Sequence, residues 1–221
     1  MPNKVEDPYD CRLCEEIDYF EESLFAAQYP DVANSNALFV TTRLQAMLPI
    51  GPFCDGHLLV VSKEHAPSFA HLGHSISSEL NSFIDAIVRL TSDRYGRTIV
   101  FEHGAMSMTR RGGCCLVHAH MNVMPIPESL KLVDLMSKYA HFSPAQLGEL
   151  IQFVDRDQPY LFFRCGQEGS YAASAPKGSS QLFRKAIASS IPGKMWDWRD
   201  HPQAAIVRKM AKQYEDGNLR L

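Results

Sequence analysis

No stretch of this 221-residue chain approaches the roughly 20 consecutive apolar residues that a membrane-crossing helix needs. The opening Met1-Pro-Asn-Lys-Val-Glu-Asp7 lacks the charged-then-apolar pattern of a secretory signal. A cytoplasmic protein is expected. Excess basic charge is missing as well: 22 Lys and Arg stand against 25 Asp and Glu, a formal charge of −3. That balance gives no general attraction to nucleic acid or to an anionic membrane, so neither a polynucleotide nor a membrane is an expected partner. No internal repeat and no low-complexity tract is found. Six cysteines without a secretion signal point to thiols or metal ligands rather than a disulfide framework.

What the chain does have is one strictly alternating stretch, Leu116 to Met124. Read as a strand, it turns Val117, Ala119, Met121 and Val123 to one side and His118, His120 and Asn122 to the other. Two imidazoles and a carboxamide, about 6.6 Å apart, would face something polar. Just upstream, Arg110-Arg-Gly-Gly-Cys-Cys115 is a loop whose small residues let backbone N–H groups turn toward an anion. Arg110 and Arg111 supply charge there, and Gly113, Cys114 and Cys115 the backbone donors, an arrangement suited to phosphate. Thr98 to Phe101 reads as a strand delivering Glu102 and His103 beside the motif. His103 is then either a partner of the site or a polar residue at a strand end.

Cys11-Arg-Leu-Cys14 follows ten charged and proline-containing residues that read as an unpacked arm. A single CxxC can be a redox pair, half a zinc site, or cysteines packed as small hydrophobes. The zinc reading needs two more ligands, and His65 and His118 are available if the fold brings them near. Residues 15–28 have helical or irregular character, and 37–42 and 57–62 read as strands joined through a connection rich in Pro and Gly. Leu80, Phe83, Ile84 and Ile87 carry the apolar face of a helix over 77–94 that Gly96 stops. Beyond Pro127, Ser143-Pro144 looks like a helix start ahead of a Leu147, Leu150, Ile151 and Val154 stripe. Residues 160–164 and 170–174 suggest a hairpin, and helices follow over 180–190 and 202–214, joined through Trp196 and Trp198. Gln181, Arg184 and Lys185 reach a substrate if this part folds back over the site.

The ordered set Gly56-His-Leu-Leu-Val-Val-Ser-Lys-Glu-His65, Phe101-Glu-His-Gly104 and His118-Ala-His-Met-Asn122 resembles the histidine-triad (HIT) superfamily of nucleotidyl hydrolases and transferases, over about residues 9–127. The resemblance implies an α+β fold: a HIT-like antiparallel sheet of about five strands with a helix on one face, plus a C-terminal α/β extension. Residues 1–127 would form the nucleotide-binding and catalytic domain, and 128–221 the extension packed on or near the site. It implies His120 as the nucleophile that forms a covalent nucleotidyl intermediate, His118 as its orienting neighbour, and His57 as a supporting histidine. It also implies a structural zinc held by Cys11, Cys14, His65 and His118, and a homodimer.

Two departures matter. Val-Thr-Thr-Arg43 stands where many members carry a ribose-binding acid, and Asn122 where the triad has its third histidine. A carboxamide donates a hydrogen bond but carries no proton near neutral pH, so Asn122 stabilises charge without acting as an acid. The transferase branch has glutamine at that place. The expected function is nucleotidyl hydrolysis or transfer with a phosphate-type leaving group. The alternatives are a catalytically inactive nucleotide-binding module and a specialised biosynthetic step on an unusual phosphorylated metabolite.

Overall fold

Among the described residues of the computed structural model, 11–32, 35–107, 109–111 and 113–215, eight strands form one sheet. The arm expected over residues 1–10 and Gly112 of the phosphate loop lie outside them. In chain order the strands are β1 (Ala37–Val40), β2 (Leu44–Met47), β3 (Leu58–Ser62), β4 (Thr98–Gly104), β5 (His120–Pro125), β6 (Ser143–Pro144), β7 (Tyr160–Cys165) and β8 (Gly169–Ser174). They lie side by side as β1-β2-β3-β5-β4-β7-β8-β6, every pairing antiparallel. The helices are α1 (Arg12–Asp18), α2 (Leu24–Gln28), α3 (His74–Tyr95), α4 (Leu132–Met136), α5 (Ile151–Asp155), α6 (Leu182–Ser190) and α7 (Ala204–Glu215).

The α+β class expected from the sequence is present, but the sheet has eight strands rather than about five, and no separate C-terminal α/β module stands apart from it. The hairpin β7–β8 continues the sheet: β7 pairs with β4 from Ile99↔Cys165 to Gly104↔Tyr160. Without that pairing β4 would present an open row of backbone donors and acceptors. Gly104 has no room for a side chain, because a Cβ there would meet the Tyr160 ring at 2.0 Å. β2, four residues inside the breaker-rich connection, was not expected from the sequence. Ser143 and Pro144 start no helix but pair with Ala172 and Tyr171, and the stripe after them forms a 3-10 turn, Leu147–Leu150, leading into α5.

Each face of the sheet buries a different set. One carries Leu44, Ala46, Leu58, Val60, Val100, Met121 and Val123, packed against Leu80, Phe83, Ile84 and Ile87 of α3 and Val207 and Met210 of α7. The 3.6-residue spacing of the α3 side chains makes this one continuous stripe. The helix starts at His74, three residues before the expected position 77, and the Ser77 hydroxyl donates back to the Gly73 carbonyl. Gly96, at φ +89, ends it as anticipated.

The opposite face is covered in two pieces. Met47, Leu59 and Val61 lie under Cys11, Leu13 and Cys14. Ile99, Phe101, Met124, Leu161 and Phe163 lie under Leu132, Leu135 and Met136 of α4 and Phe183 and Ile187 of α6. A cavity opens between the two, over β3, β5 and β4. Ile84→Ala should cost about 3 kcal/mol in urea unfolding, since the side chain is fully buried, whereas Val40→Ala, 58% exposed on the edge strand, should stay within about 0.5 kcal/mol.

Candidate active site

Cys11 caps α1 and Cys14 sits on its first turn, so the two thiols project to the same side of the helix start. His65 follows β3 and His118 precedes β5, and the pairing of those strands brings the two rings together. His118 Nδ1 lies 3.3 Å from Cys11 Sγ and 3.4 Å from Cys14 Sγ, and His65 Nδ1 lies 3.3 Å from Cys14 Sγ. All four ligating atoms fall within 4.8 Å of one another. Donors bound at 2.0–2.3 Å around a tetrahedral ion stand roughly 3.3–3.8 Å apart, so the donor set and its spacing fit a metal. The Cys11 thiol is pulled down to about 3 by its hydrogen bond with Cys14 and by His118, while the same bond pushes the Cys14 thiol up. His118 Nε2–H donates to the Ser62 carbonyl at 2.7 Å, which leaves the Nδ1 lone pair facing the sulfurs.

The same residue positions the next imidazole. The His118 carbonyl accepts the Nδ1–H of His120 at 2.7 Å, so the Nε2 lone pair of His120 is left for the cavity this side chain lines. Burial lowers the His120 pKa, against the raising effect of that backbone bond, and keeps the ring neutral near pH 7. Two residues on, Asn122 is fixed from the other side. The Phe53 N–H donates to His57 Nδ1 at 2.9 Å, so His57 carries its proton on Nε2 and donates it to Asn122 Oδ1 at 3.0 Å. Complete burial pulls His57 down to about 3, which keeps it neutral. The Asn122 NH₂ is then the donor this side chain offers to the cavity.

The sequence-derived candidates divide. His120, Asn122, His57, His103, Gly113, Cys114 and Cys115 all line the one cavity. Glu102 does not: both its oxygens are taken, by the Tyr160 hydroxyl at 2.6 Å and the Phe69 N–H at 2.9 Å. Arg110 is exposed and ion-paired with Asp157, and Arg111, also exposed, is absent from the lining. The Cys114 N–H closes a turn onto the Arg111 carbonyl at 2.8 Å, so it is not free for a ligand. Gly113, at φ +85, packs so tightly on the C-terminal segment that a Cβ would meet the Ser179 carbonyl oxygen at 2.3 Å.

Cationic groups reach the cavity from elsewhere. Arg12, between the two cysteines, and Arg184, on α6, both line it. Arg199 stands beside Cys115 and over the Trp198 ring, 4.7 Å from its centroid. Lys185 instead lies over Trp196, 4.5 Å from the ring centroid. Glu16 was not singled out from the sequence. Buried on α1, it accepts from Asn36 Nδ2 at 2.7 Å, and burial pushes its pKa up to about 8. Its position one turn past Arg12, with Leu13 and Arg12 carried on the CxxC turn, is the signal that could have flagged it.

A family model described as "Protein similar to CwfJ C-terminal" matches residues 12–139, and the chain belongs to that family. No curated protein matches. Among solved structures, the chain is similar to a hypothetical protein from Leishmania major at 18% identity, covering 56% of this chain and 77% of that one, with a TM-score of 0.42. It is similar to a member of the HIT family from Bacillus subtilis at 17% identity, over 54% and 75% of the two chains, TM-score 0.41. A hypothetical histidine triad nucleotide-binding protein from Sulfolobus tokodaii strain7 aligns at 17% identity over 66% and 90%, TM-score 0.40.

Glu102 generates a pH signature. Burial raises its pKa to about 7 in the folded chain, against 4.5 ordinarily. An acid raised on folding favours the folded state fully below about pH 4.5, and that contribution is lost as pH rises through about 7. Glu102→Gln should therefore gain on the wild type across this window, by on the order of 3 kcal/mol, and level off above it. Denaturant unfolding at a series of pH values measures the difference, and a gap that does not change with pH would refute it.

Proposed function

We propose that this chain is a histidine-triad type nucleotidyl hydrolase or transferase, acting on a phosphorylated nucleotide-type substrate through a covalent nucleotidyl intermediate at His120. The observation that carries the reading is the 2.7 Å bond from His120 Nδ1–H to the His118 carbonyl, which leaves a neutral ring with its Nε2 lone pair toward the cavity. The ordered HIT-like segments of the sequence support the same reading.

In the first step His120 Nε2 attacks phosphorus in line; the N–P bond forms, and the bond from phosphorus to the departing oxygen breaks with its electron pair. In the second, water or another acceptor attacks the same phosphorus. The N–P bond then breaks, its pair returns to Nε2, and the proton of the acceptor passes to solvent. The fixed NH₂ of Asn122 and the backbone beside Cys115 stabilise the non-bridging oxygens; preorganised donors of this kind are worth about 3 kcal/mol apiece in related oxyanion sites. Because Asn122 supplies no proton, the reaction suits a leaving group that departs as an anion.

Cys11, Cys14, His65 and His118 would hold zinc in a structural role, since four protein donors leave no open position for substrate. Zinc there would pin His118 and, through its carbonyl, the orientation of His120. A second reading, a nucleotide-binding module without turnover, is favoured by one feature, the absence of a proton-carrying third histidine.

His120→Ala should lower turnover of nucleotide substrates at least 1,000-fold while leaving thermal stability near that of the wild type. The wild type, quenched in alkali, should carry an acid-labile phosphorus adduct that the variant lacks. An unaffected rate would end the catalytic reading; substrate binding with neither turnover nor adduct would establish the second. Metal analysis should find zinc in about equimolar amount, lost with a fall in Tm on Cys14→Ser substitution; a metal-free wild type of unchanged stability would contradict the structural role.

A further inference from the structure

The cavity walls formed by α6 and β4 hold three polar groups whose bonding is incomplete. Arg184 is 92% buried yet makes no ion pair among the described residues. Its Nε donates to the Trp196 carbonyl at 2.8 Å and one terminal nitrogen to the Gly51 carbonyl at 3.1 Å, so two of the five guanidinium N–H donors are used. The nearby carboxylate of Asp197 is bonded to Arg199 instead. Among the described residues Gln181, 95% buried, has no partner for Oε1, and His103, 91% buried, has none for Nε2. All three side chains line the cavity that His120 lines.

Their placement is not incidental to the helix. Gln181 is the cap residue of α6 but makes no side-chain cap bond, and it is held in the left-handed region at φ +53. Its backbone N–H donates to the Gly113 carbonyl at 3.2 Å, which ties the start of α6 to the phosphate loop. The positive end of this nine-residue helix, at Gln181, thus lies at the cavity that Arg184 also lines. A buried cation that lies over the Phe53 ring with no carboxylate bonded to it, beside an amide and an imidazole each missing a partner, is a costly arrangement unless a ligand completes it. The ligand must be anionic and rich in oxygens, with protons enough to serve the amide oxygen. A hydrogen phosphate or pyrophosphate has these properties.

We propose that Arg184, Gln181 and His103 form a second anion subsite beside His120, which holds the phosphate or pyrophosphate displaced from the substrate. This rests on the nucleotidyl-transfer reading and deepens it. The substrate class becomes the nucleoside phosphoanhydride: the P–O bond breaks toward a phosphate that leaves with the electron pair, its charge met by Arg184 rather than by a proton from Asn122. His103 is reached from β4 and Arg184 from α6, so the subsite joins the two parts of the chain that the sequence resemblance treats separately.

Inorganic pyrophosphate titrated calorimetrically into the full zinc-containing chain tests the subsite apart from turnover. Binding should weaken at least 10-fold in Gln181→Glu and in Arg184→Met, and less than 3-fold in His120→Ala. Because Arg184 also holds two carbonyls and its loss can disturb folding, a second measurement uses no substitution: the ring resonances of His103 should shift when pyrophosphate is added to the wild type. The proposal is overturned if the wild type does not bind pyrophosphate, if Gln181→Glu binds it as tightly, or if it binds without moving His103. Pyrophosphate binding that follows this pattern in a protein without nucleotidyl turnover would keep the subsite and discard the catalytic reading; turnover without such binding would do the reverse.

Discussion

His118 uses three of its polar groups on three different parts of the structure. Nδ1 faces the two thiols, Nε2–H is bonded to the carbonyl at the end of β3, and its own carbonyl holds the ring of His120. Position 118 is 1% exposed, so none of these bonds competes with water. Turning this ring would break the cluster at the start of α1 and the bond to the end of β3, whereas the neighbouring imidazole is held by the backbone of the same residue. The β3–β5 pairing, which continues to Val61↔His120, fixes the backbone on which this depends.

A second constraint is the split cover on the site-bearing face of the sheet. Had a single helix lain across it, His57, Asn122 and His120 would be buried among apolar side chains, with donors and acceptors unmet at a cost of about 1–3 kcal/mol each. Instead, α1 covers the β2–β3 side and α4 with α6 the β4–β7 side, and the polar residues of β3, β5 and β4 occupy the gap. The sheet has to be wide for this to work. β7 supplies Leu161, Phe163 and Cys165, which pack with Phe183 and Ile187 of α6, the helix that carries Arg184 to the cavity.

Much of this was legible in the residues because it is local. The α3 stripe, the Gly96 stop and the hairpin at 160–174 are periodicities and turn residues, read within a dozen positions. The four ligands were legible through the family resemblance rather than from the CxxC alone, and the fold brings their ligating atoms within 4.8 Å of one another. What escaped was short or non-local. β2 and α4 are four and five residues long, too few for a period to emerge. A strand's sequence tells which face is apolar but not which strand lies beside it, so β7 joining β4 could not be read. The charge at the cavity is non-local for a similar reason: Arg110, next to the motif in sequence, pairs with Asp157 at the surface, while Arg184, distant in sequence, is a guanidinium buried at the cavity.

The cavity is walled by Arg12, Leu13 and Glu16 from the first helix and by Gln181, Arg184 and Trp198 from late in the chain. Contacts between such distant positions are the slowest to form, because the whole intervening loop must close before they are rewarded. On the ribosome, then, a growing polypeptide can have β1 to β5 and α3 in place and still possess only half a pocket. Enclosure waits for α6, late in translation, and an abortive product ending between β5 and α6 would keep His57, His103 and His120 with only the α1 side of the pocket in place.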